Sequence, residues 1–391
     1  MRIAMFSDSA LPIINGVSLS VDSLIQELRK QGHSVHLYTA GHPKAGPDAN
    51  TYRFRTVQLP WSKEYPVVVP PFYGMLRKFR KNTYDVIHTH TPFTTGFVGM
   101  RWAESHEIPI VSTYHTLYDR YAHYIPLFPK RYIRFKIAKH TNFYYNHVDQ
   151  VVCPSMAAMR WLRRQAVRTP ISIIPTACFE KQMLDRYECR RQLGMGLNER
   201  YLLYVGRLAK EKNLETLFSA VKLAFEQDST LRLWLVGDGP YREECVEYVR
   251  HLGIGDRVKF VGFLPRNEVD SYYAAADVFV FSSITETQGL VIQEAMAYGL
   301  PAIVVVGGGA GDSVISGENG FLVKNDPVTF AQTITEVLWN ESLWSKLSAN
   351  AARSVQNRTP NAMALKVLGV YERAIGNHAQ PTELAEQVGI A

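Results

Sequence analysis

Apolar residues in this chain gather in short runs separated by helical patterns. RIAMFS (2–7) leads through a loop ending in NGVS to SVDSLIQELRKQG (20–32), and then to HSVHLYT (33–39). Strand, helix, strand is the order this predicts, a βαβ opening. YDVIHTH (84–90), IPIVSTYH (108–115), QVVCPS (150–155) and ISIIPT (171–176) continue it, with helical sequence between them. Short apolar strands alternating with helices imply a parallel sheet covered on both faces. From Phe179 to Leu197 the pattern lapses into polar, helix-like sequence and then restarts. YLLYVG (201–206), LRLWLVG (231–237), VKFVGFL (258–264), DVFVFSS (277–283), PAIVVVG (301–307) and GFLV (320–323) form the second series.

Two doubly wound, Rossmann-like α/β domains joined by a linker account for this pattern. The expected boundaries are 1–178 for the first domain, 179–196 for the linker and 197–355 for the second domain. Residues 356–391 hold an amphipathic helix, ALKVLGVYERAIG, expected to return to the first domain, and a polar tail. At 391 residues the chain is long enough for two cores. Ligands of such sheets bind at the carboxyl ends of strands, so a cleft between the domains is the expected site.

Charge divides the chain. Residues 1–196 carry 26 Lys+Arg against 13 Asp+Glu, and residues 197–391 carry 17 against 23. A basic first half suits an anionic surface, and a solvated basic face is the competing reading. No window reaches eighteen uninterrupted apolar residues, and MRIAMFSDSA lacks the apolar run of a secretory signal. The four cysteines show neither a CxxC pair nor metal-ligand spacing. A reduced, cytoplasmic protein without a membrane span is expected.

Candidate chemistry begins with SSITETQGLVIQEAMAYGLP (282–301), where Glu294 stands among Leu290, Val291, Ile292, Ala295 and Met296. A carboxylate in apolar company needs a partner. The helix start near Gly289 offers backbone N–H groups and a dipole that favour a phosphate. Glu294, a turn and a half further on, is placed to reach ribose hydroxyls, and Glu286 hydroxyls beyond the phosphates. A helix-start carboxylate plus a salt-bridged core glutamate fits the spacing equally well. In YLLYVGRLAKEKNLETLF, Arg207 and Lys212 occupy a strand-end loop before a helix expected to be capped by Asn213, which suits a diphosphate.

Taken together, these motifs resemble the retaining glycosyltransferases of family 4, which have the GT-B fold. Glu286 and Glu294 match the family's E-x7-E spacing, and VGRLAKEKN, LVGDGPYRE, VKFVGFLP, EAMAYGLP and GENGFLV occur in its order. The resemblance runs from Met1 to about Gly376. It implies that Arg207 and Lys212 hold the donor diphosphate and that Glu294 holds the ribose. Glu286 would hold a sugar hydroxyl, Gly289, Leu290 and Val291 would supply backbone donors, and Phe263 and Leu264 would lie against the base. In the first half it implies that Gly16 lets donor and acceptor approach the backbone. His115 would lie near the transferring sugar, and Asp119 and Tyr121 would shape the acceptor pocket.

His115, Arg207, Lys212 and Glu286 are thus the expected catalytic residues. No D-x-D triplet occurs, which fits chemistry without a metal, the nucleotide sugar being a co-substrate and no cofactor being needed. IPTACFE departs from the family's usual IPTGID, and Asp312 stands where Glu is commoner. Within the family, TYHTLYDRYAHYI and ETQG look most like bacterial diacylglycerol glucosyltransferases, which move glucose from UDP-glucose to a membrane lipid.

The partners implied are a nucleotide sugar, a lipid acceptor and the anionic inner face of the cell membrane, with no nucleic acid. Basic amphipathic segments at 70–82 and 129–140 are the candidate membrane contacts. A GDP-mannose-dependent mannosyltransferase, an enzyme with a soluble acceptor, and a UDP-sugar epimerase are the alternatives. VGDGPYRE lacks the third glycine of a dinucleotide fingerprint, which disfavours a nicotinamide dehydrogenase.

Overall fold

The computed structural model describes residues 1–59, 62–118, 129–177 and 181–388. The chain divides into two units, residues 1–177 with 360–391, and residues 178–359.

Unit 1 is built on a parallel sheet of β1 (Arg2–Ser7), β2 (Ser34–Ala40), β3 (Thr51–Phe54), β6 (Val86–Thr89), β7 (Ile110–Thr113), β8 (Gln150–Cys153) and β9 (Ile171–Ile173), with β4 (Thr56–Leu59) and β5 (Ser62–Val68) forming a separate antiparallel ribbon. Spatial order is β3-β2-β1-β6-β7-β8-β9. The helices are α1 (Gly16–Lys30), α2 (Tyr73–Phe79), α3 (Thr94–Ser105), α4 (Lys130–Tyr145) and α5 (Met156–Arg164). One sheet face packs with Phe6, Tyr38, Trp102 and Tyr144, and the other with Leu24, Leu28, Val367 and Tyr371. Strand residues buried on both faces explain why these strands read as unbroken apolar runs rather than as alternation. Asn15 and Ser18 close a capping box at the start of α1, which fixes where that helix begins after the β1 loop.

Unit 2 comprises α6 (Arg186–Leu193), β10 (Arg200–Val205), α7 (Leu214–Gln227), β11 (Leu231–Val236), α8 (Arg242–His251), β12 (Val258–Gly262), α9 (Arg266–Ala275), β13 (Val278–Phe281), α10 (Leu290–Ala297), β14 (Ala302–Val305), β15 (Gly320–Val323), α11 (Pro327–Trp339) and α12 (Glu341–Val355). Its parallel sheet runs β12-β11-β10-β13-β14-β15, the order of a dinucleotide-binding fold. Leu202, Leu233, Phe279 and Ile303 are fully buried in the layer between helices. Each such side chain contributes roughly 1.5–3 kcal/mol by leaving water.

One expectation changes here. The segment expected to be a linker carries α6, which is fastened to unit 2. Arg190, buried, donates from Nε to the Ala275 carbonyl at 2.9 Å and from Nη2 to Asp277 at 2.6 Å, and Arg186 also pairs with Asp277. The final helix, α13 (Pro360–Val388), groups with unit 1 and packs on α1. Tyr371 on it is fully buried.

The two basic segments also separate. In α2, Phe79 is buried and Phe72, Met75 and Leu76 pack on the core, leaving Tyr73 exposed. That helix follows the core reading. In α4, Ile133 faces inward while Tyr132 and Phe135 stand exposed beside exposed Arg131, Arg134, Lys136 and Lys139. Among the described residues, no helix is long and apolar enough to cross a membrane.

Candidate active site

In unit 2 the strand order reverses between β10 and β13, so the loops leaving these two strands flank the point where such sheets bind ligands. The two loops are stitched together. Ser282 Oγ donates to the Lys212 carbonyl (2.9 Å), Thr285 Oγ1 to the Glu211 carbonyl (3.2 Å) and Asn213 Nδ2 to the Ser282 carbonyl (3.1 Å). This stitching brings Lys212 Nζ onto Glu286 Oε1 as an ion pair whose side chains are 12% and 20% exposed. Asn213 does begin α7, but in the left-handed region (φ 56°) and without capping a backbone N–H. Its side chain instead donates to the Ser282 and Asn325 oxygens and accepts from Thr216 Oγ1 at 3.0 Å.

Arg207 is exposed in the same loop, and its carbonyl accepts from the Tyr204 hydroxyl at 3.3 Å. Burial raises the Tyr204 pKa, with Lys212 opposing and Glu286 reinforcing the shift, so this phenol lies within the field of the ion pair. The β10 and β11 loops cross so closely that a Cβ on Gly237 would lie 2.0 Å from the Gly206 carbonyl oxygen. Only glycine fits there, which is the physical content of the paired VG motifs.

Gly289 precedes α10 with φ +74°, and a Cβ on it would stand 3.1 Å from Ile292 Cδ1. The first-turn N–H groups of Leu290 and Val291 have no acceptor within the helix, and the N-cap residue, Gly289, has no side chain to cap it. The Glu286 carbonyl accepts from Gly309 N at 2.6 Å, which anchors the loop in front of this helix start. An anion at this point would meet backbone donors, the helix dipole and Lys212 together.

Glu294 is 8% exposed, and its partners are protein groups: Arg266 Nη1 at 2.6 Å and the Tyr273 hydroxyl at 2.9 Å, both on Oε2. The expectation that a ligand supplies the pairing is therefore corrected. The salt-bridged reading of Glu294 describes this structure, and a ribose would share the carboxylate with Arg266. Burial works against the Arg266 charge, and Glu294, Tyr273 and Asp270 overcome it, raising its pKa. Phe263 is 68% exposed after β12, and Leu264 is half-buried against the core. Arg266 and Tyr273 were missed by sequence reasoning. The only local signal was an Arg–Asp pair four residues apart at the start of α9, which says nothing of Glu294.

Unit 1 has its own reversal, between β1 and β6. Gly16 is exposed as the first residue of α1, and Asn15 Nδ2 donates to Ser9 Oγ at 2.8 Å. Asp8, after β1, accepts from Thr91 Oγ1 (2.6 Å) and from Thr95 N (3.1 Å) at the start of α3. Burial pushes the Asp8 pKa up against these hydrogen bonds. His115 is half-buried beyond β7, with Nε2 3.1 Å from His90 Nδ1, and burial lowers its pKa to about 4. Asp119 and Tyr121 lie outside the described residues, as does 178–180 of the divergent IPTACFE segment. Among the described residues, no group of three or more His, Cys, Asp or Glu side chains is arranged to hold a metal.

Known proteins are similar to this chain. Residues 14–178 match the model of Glycosyltransferase Family 4, and residues 185–354 match that of Glycosyl transferases group 1. The chain is 33% identical to an alpha-monoglucosyldiacylglycerol synthase of Streptococcus pneumoniae, over 78% of this chain and 70% of that protein. It is 30% identical to the Acholeplasma laidlawii protein of the same name, over 91% and 93%. The chain belongs to the family 4 glycosyltransferases.

This transferase is also 30% identical to a D-inositol 3-phosphate glycosyltransferase of Corynebacterium diphtheriae, over 95% of this chain and 94% of that protein. Among solved structures it resembles sucrose-phosphate synthase from Thermosynechococcus elongatus, with 26% identity, a TM-score of 0.78, and coverage of 96% of this chain and all of that one. The fold is GT-B, with one Rossmann-like sheet in each unit. The enzyme transfers a sugar.

Proposed function

We propose that this transferase moves glucose from UDP-glucose to a membrane lipid such as diacylglycerol, with retention of anomeric configuration and without a metal. The observation that carries the reading is the Lys212–Glu286 pair beside the open start of α10 at the sheet reversal, in a chain about one-third identical to glucosyldiacylglycerol synthases. Arg207 and Lys212 hold the donor diphosphate together with the amides of Leu290 and Val291, and Glu294 holds the ribose. Charge on the leaving diphosphate grows in the transition state, where fixed cations and helix N–H groups stabilise it most. Glu286 and His115 hold hydroxyls of the transferring sugar. The exposed aromatics and cations of α4 bring the enzyme to anionic headgroups at the inner face of the membrane.

The deciding experiment supplies UDP-glucose, UDP-galactose and GDP-mannose separately to the enzyme with diacylglycerol vesicles, with and without EDTA, and identifies the lipid product and its anomer. An α-glucolipid from UDP-glucose alone, formed equally in EDTA, is expected. Turnover only with GDP-mannose, or only with a soluble acceptor, refutes the assignment. UDP-sugar isomerisation without acceptor identifies an epimerase instead.

A further inference from the structure

His88 near the carboxyl end of β6 and His90 just beyond it have ring centroids 4.1 Å apart, and the His90 and His115 rings stack at 5.4 Å. His88 is fully engaged, Nδ1 with the Tyr371 hydroxyl of α13 (2.6 Å) and Nε2 with Thr113 Oγ1 (2.7 Å). His90 differs. Its Nδ1 meets His115 Nε2 at 3.1 Å, while its Nε2 is buried with no hydrogen-bond partner among the described residues.

That orphaned nitrogen fixes where the proton sits. All three rings are neutral at ordinary pH, because burial pulls their pKa values down, to about 3 for His88 and about 4 for His115. A neutral imidazole has one N–H and one bare nitrogen. A proton on His90 Nε2 would be a buried donor with no acceptor, which folded proteins avoid more strictly than an unused acceptor. The His90 proton therefore belongs on Nδ1, pointing at His115. His115 Nε2 must then be the bare, accepting nitrogen, and its own proton falls on Nδ1.

We propose that His90 is a positioning residue that donates to His115 Nε2, locks His115 as the Nδ1–H tautomer, and makes it a hydrogen-bond donor to an oxygen of the transferring sugar. In this role His115 cannot accept the acceptor's proton. The inference rests on the sugar-facing reading of His115, and it adds the direction of the hydrogen bond and the residue that sets it.

Nitrogen-15 NMR of the histidine-labelled enzyme, with His115 assigned by its loss in His115→Gln, reads the tautomer directly. An unprotonated Nε2 and a protonated Nδ1 on His115 are expected. Removing the donor in His90→Phe should mix the two His115 tautomers and lower kcat about tenfold, with donor KM within twofold. His90→Asn, whose side-chain amide N–H can replace the Nδ1 donor, should restore most of kcat. A protonated His115 Nε2 in the wild type overturns the proposal even if no variant folds, and so does a tautomer unchanged in folded His90→Phe. Undiminished turnover in His115→Ala refutes the sugar-facing reading itself, whatever tautomer the spectra report.

Discussion

Glu286→Gln separates two accounts of the Lys212–Glu286 pair, because they expect opposite changes in affinity for UDP. Without donor, each charge is the other's partner at 12% and 20% exposure. At about 4 Å and an effective dielectric of about 20, such an attraction is on the order of 4 kcal/mol before desolvation is charged against it. A diphosphate reaching the α10 start draws on the same ammonium, so Glu286 competes with it. It also repels it, by roughly 3 kcal/mol for like charges about 6 Å apart at that dielectric. Glu286→Gln removes the competitor and the repulsion, and much of that gain is lost to solvent screening. UDP should then bind as tightly as to the wild type or up to about tenfold tighter. Lys212→Ala removes the attraction and leaves Glu286 unpaired, and should weaken UDP by about 1.5–3 kcal/mol. Turnover should fall in both, about 10- to 100-fold in Glu286→Gln, where a charged contact to the sugar is lost. Calorimetric titration of UDP into both single variants and the double variant gives the coupling directly. If Glu286→Gln weakens UDP as much as Lys212→Ala, Glu286 does not compete with the phosphate. If it lowers stability but leaves turnover intact, the pair is structural.

Three further outcomes are expected. Glu294→Gln should cost about 1.5–3 kcal/mol in UDP binding and, by leaving Arg266 only the more distant Asp270 carboxylate, about 1 kcal/mol in stability, a fall of roughly 2–4 °C in Tm; normal UDP affinity in a destabilised variant makes Glu294 purely structural. Acid should destabilise the fold well above the carboxylate range. His88 and His115 have folded pKa values of about 3 and about 4, below the ordinary histidine value, so stability is full above pH ~6.5 and declines as the unfolded state protonates, by up to about 1.4 kcal/mol per pH unit for each. Asp8, raised by burial, acts in the opposite sense, gaining stability as its carboxylate protonates, and denaturant midpoints that stay flat from pH 7 to 5 in Asp8→Asn contradict the neutral-histidine reading. Arg131→Glu/Arg134→Glu should reduce binding to anionic vesicles by about 1 kcal/mol per cation removed, more than Lys78→Glu/Lys81→Glu does; equal binding of all variants removes α4 from the membrane contact.

The architecture was legible because parallel sheets leave a one-dimensional trace. Strands buried on both faces must be apolar throughout, so the runs at 201–206, 231–237 and 277–283 could be read without knowing their neighbours. The helix-start glycine was legible for a similar reason. Gly289 answers to its position in a strand–loop–helix unit, whereas the crowding that requires glycine at 237 depends on a second loop that the strand run does not reveal. Residue 213 shows the limit: Asn was rightly placed at the helix start, yet its side chain serves the β13 loop about seventy residues away. A capping preference ranks residue types, whereas tertiary hydrogen bonds decide what a given side chain does.

Partner choice was the part that local pattern could not carry. Glu294 has the spacing of a ligand-binding carboxylate and also the protein partners of a core one, and the proposed function requires these to be successive states of one group rather than rivals. Arg266 and Tyr273 hold the carboxylate when no ligand is present, so the charge of a buried acid is compensated without closing the site. Lys212 and Glu286 do the same one loop away. A site that binds a diphosphate and a ribose, as proposed, needs cations and carboxylates close together, and such groups also neutralise each other within the protein. On that reading, donor affinity is a difference between two sets of ion pairs, and mutating one partner alone reports on both.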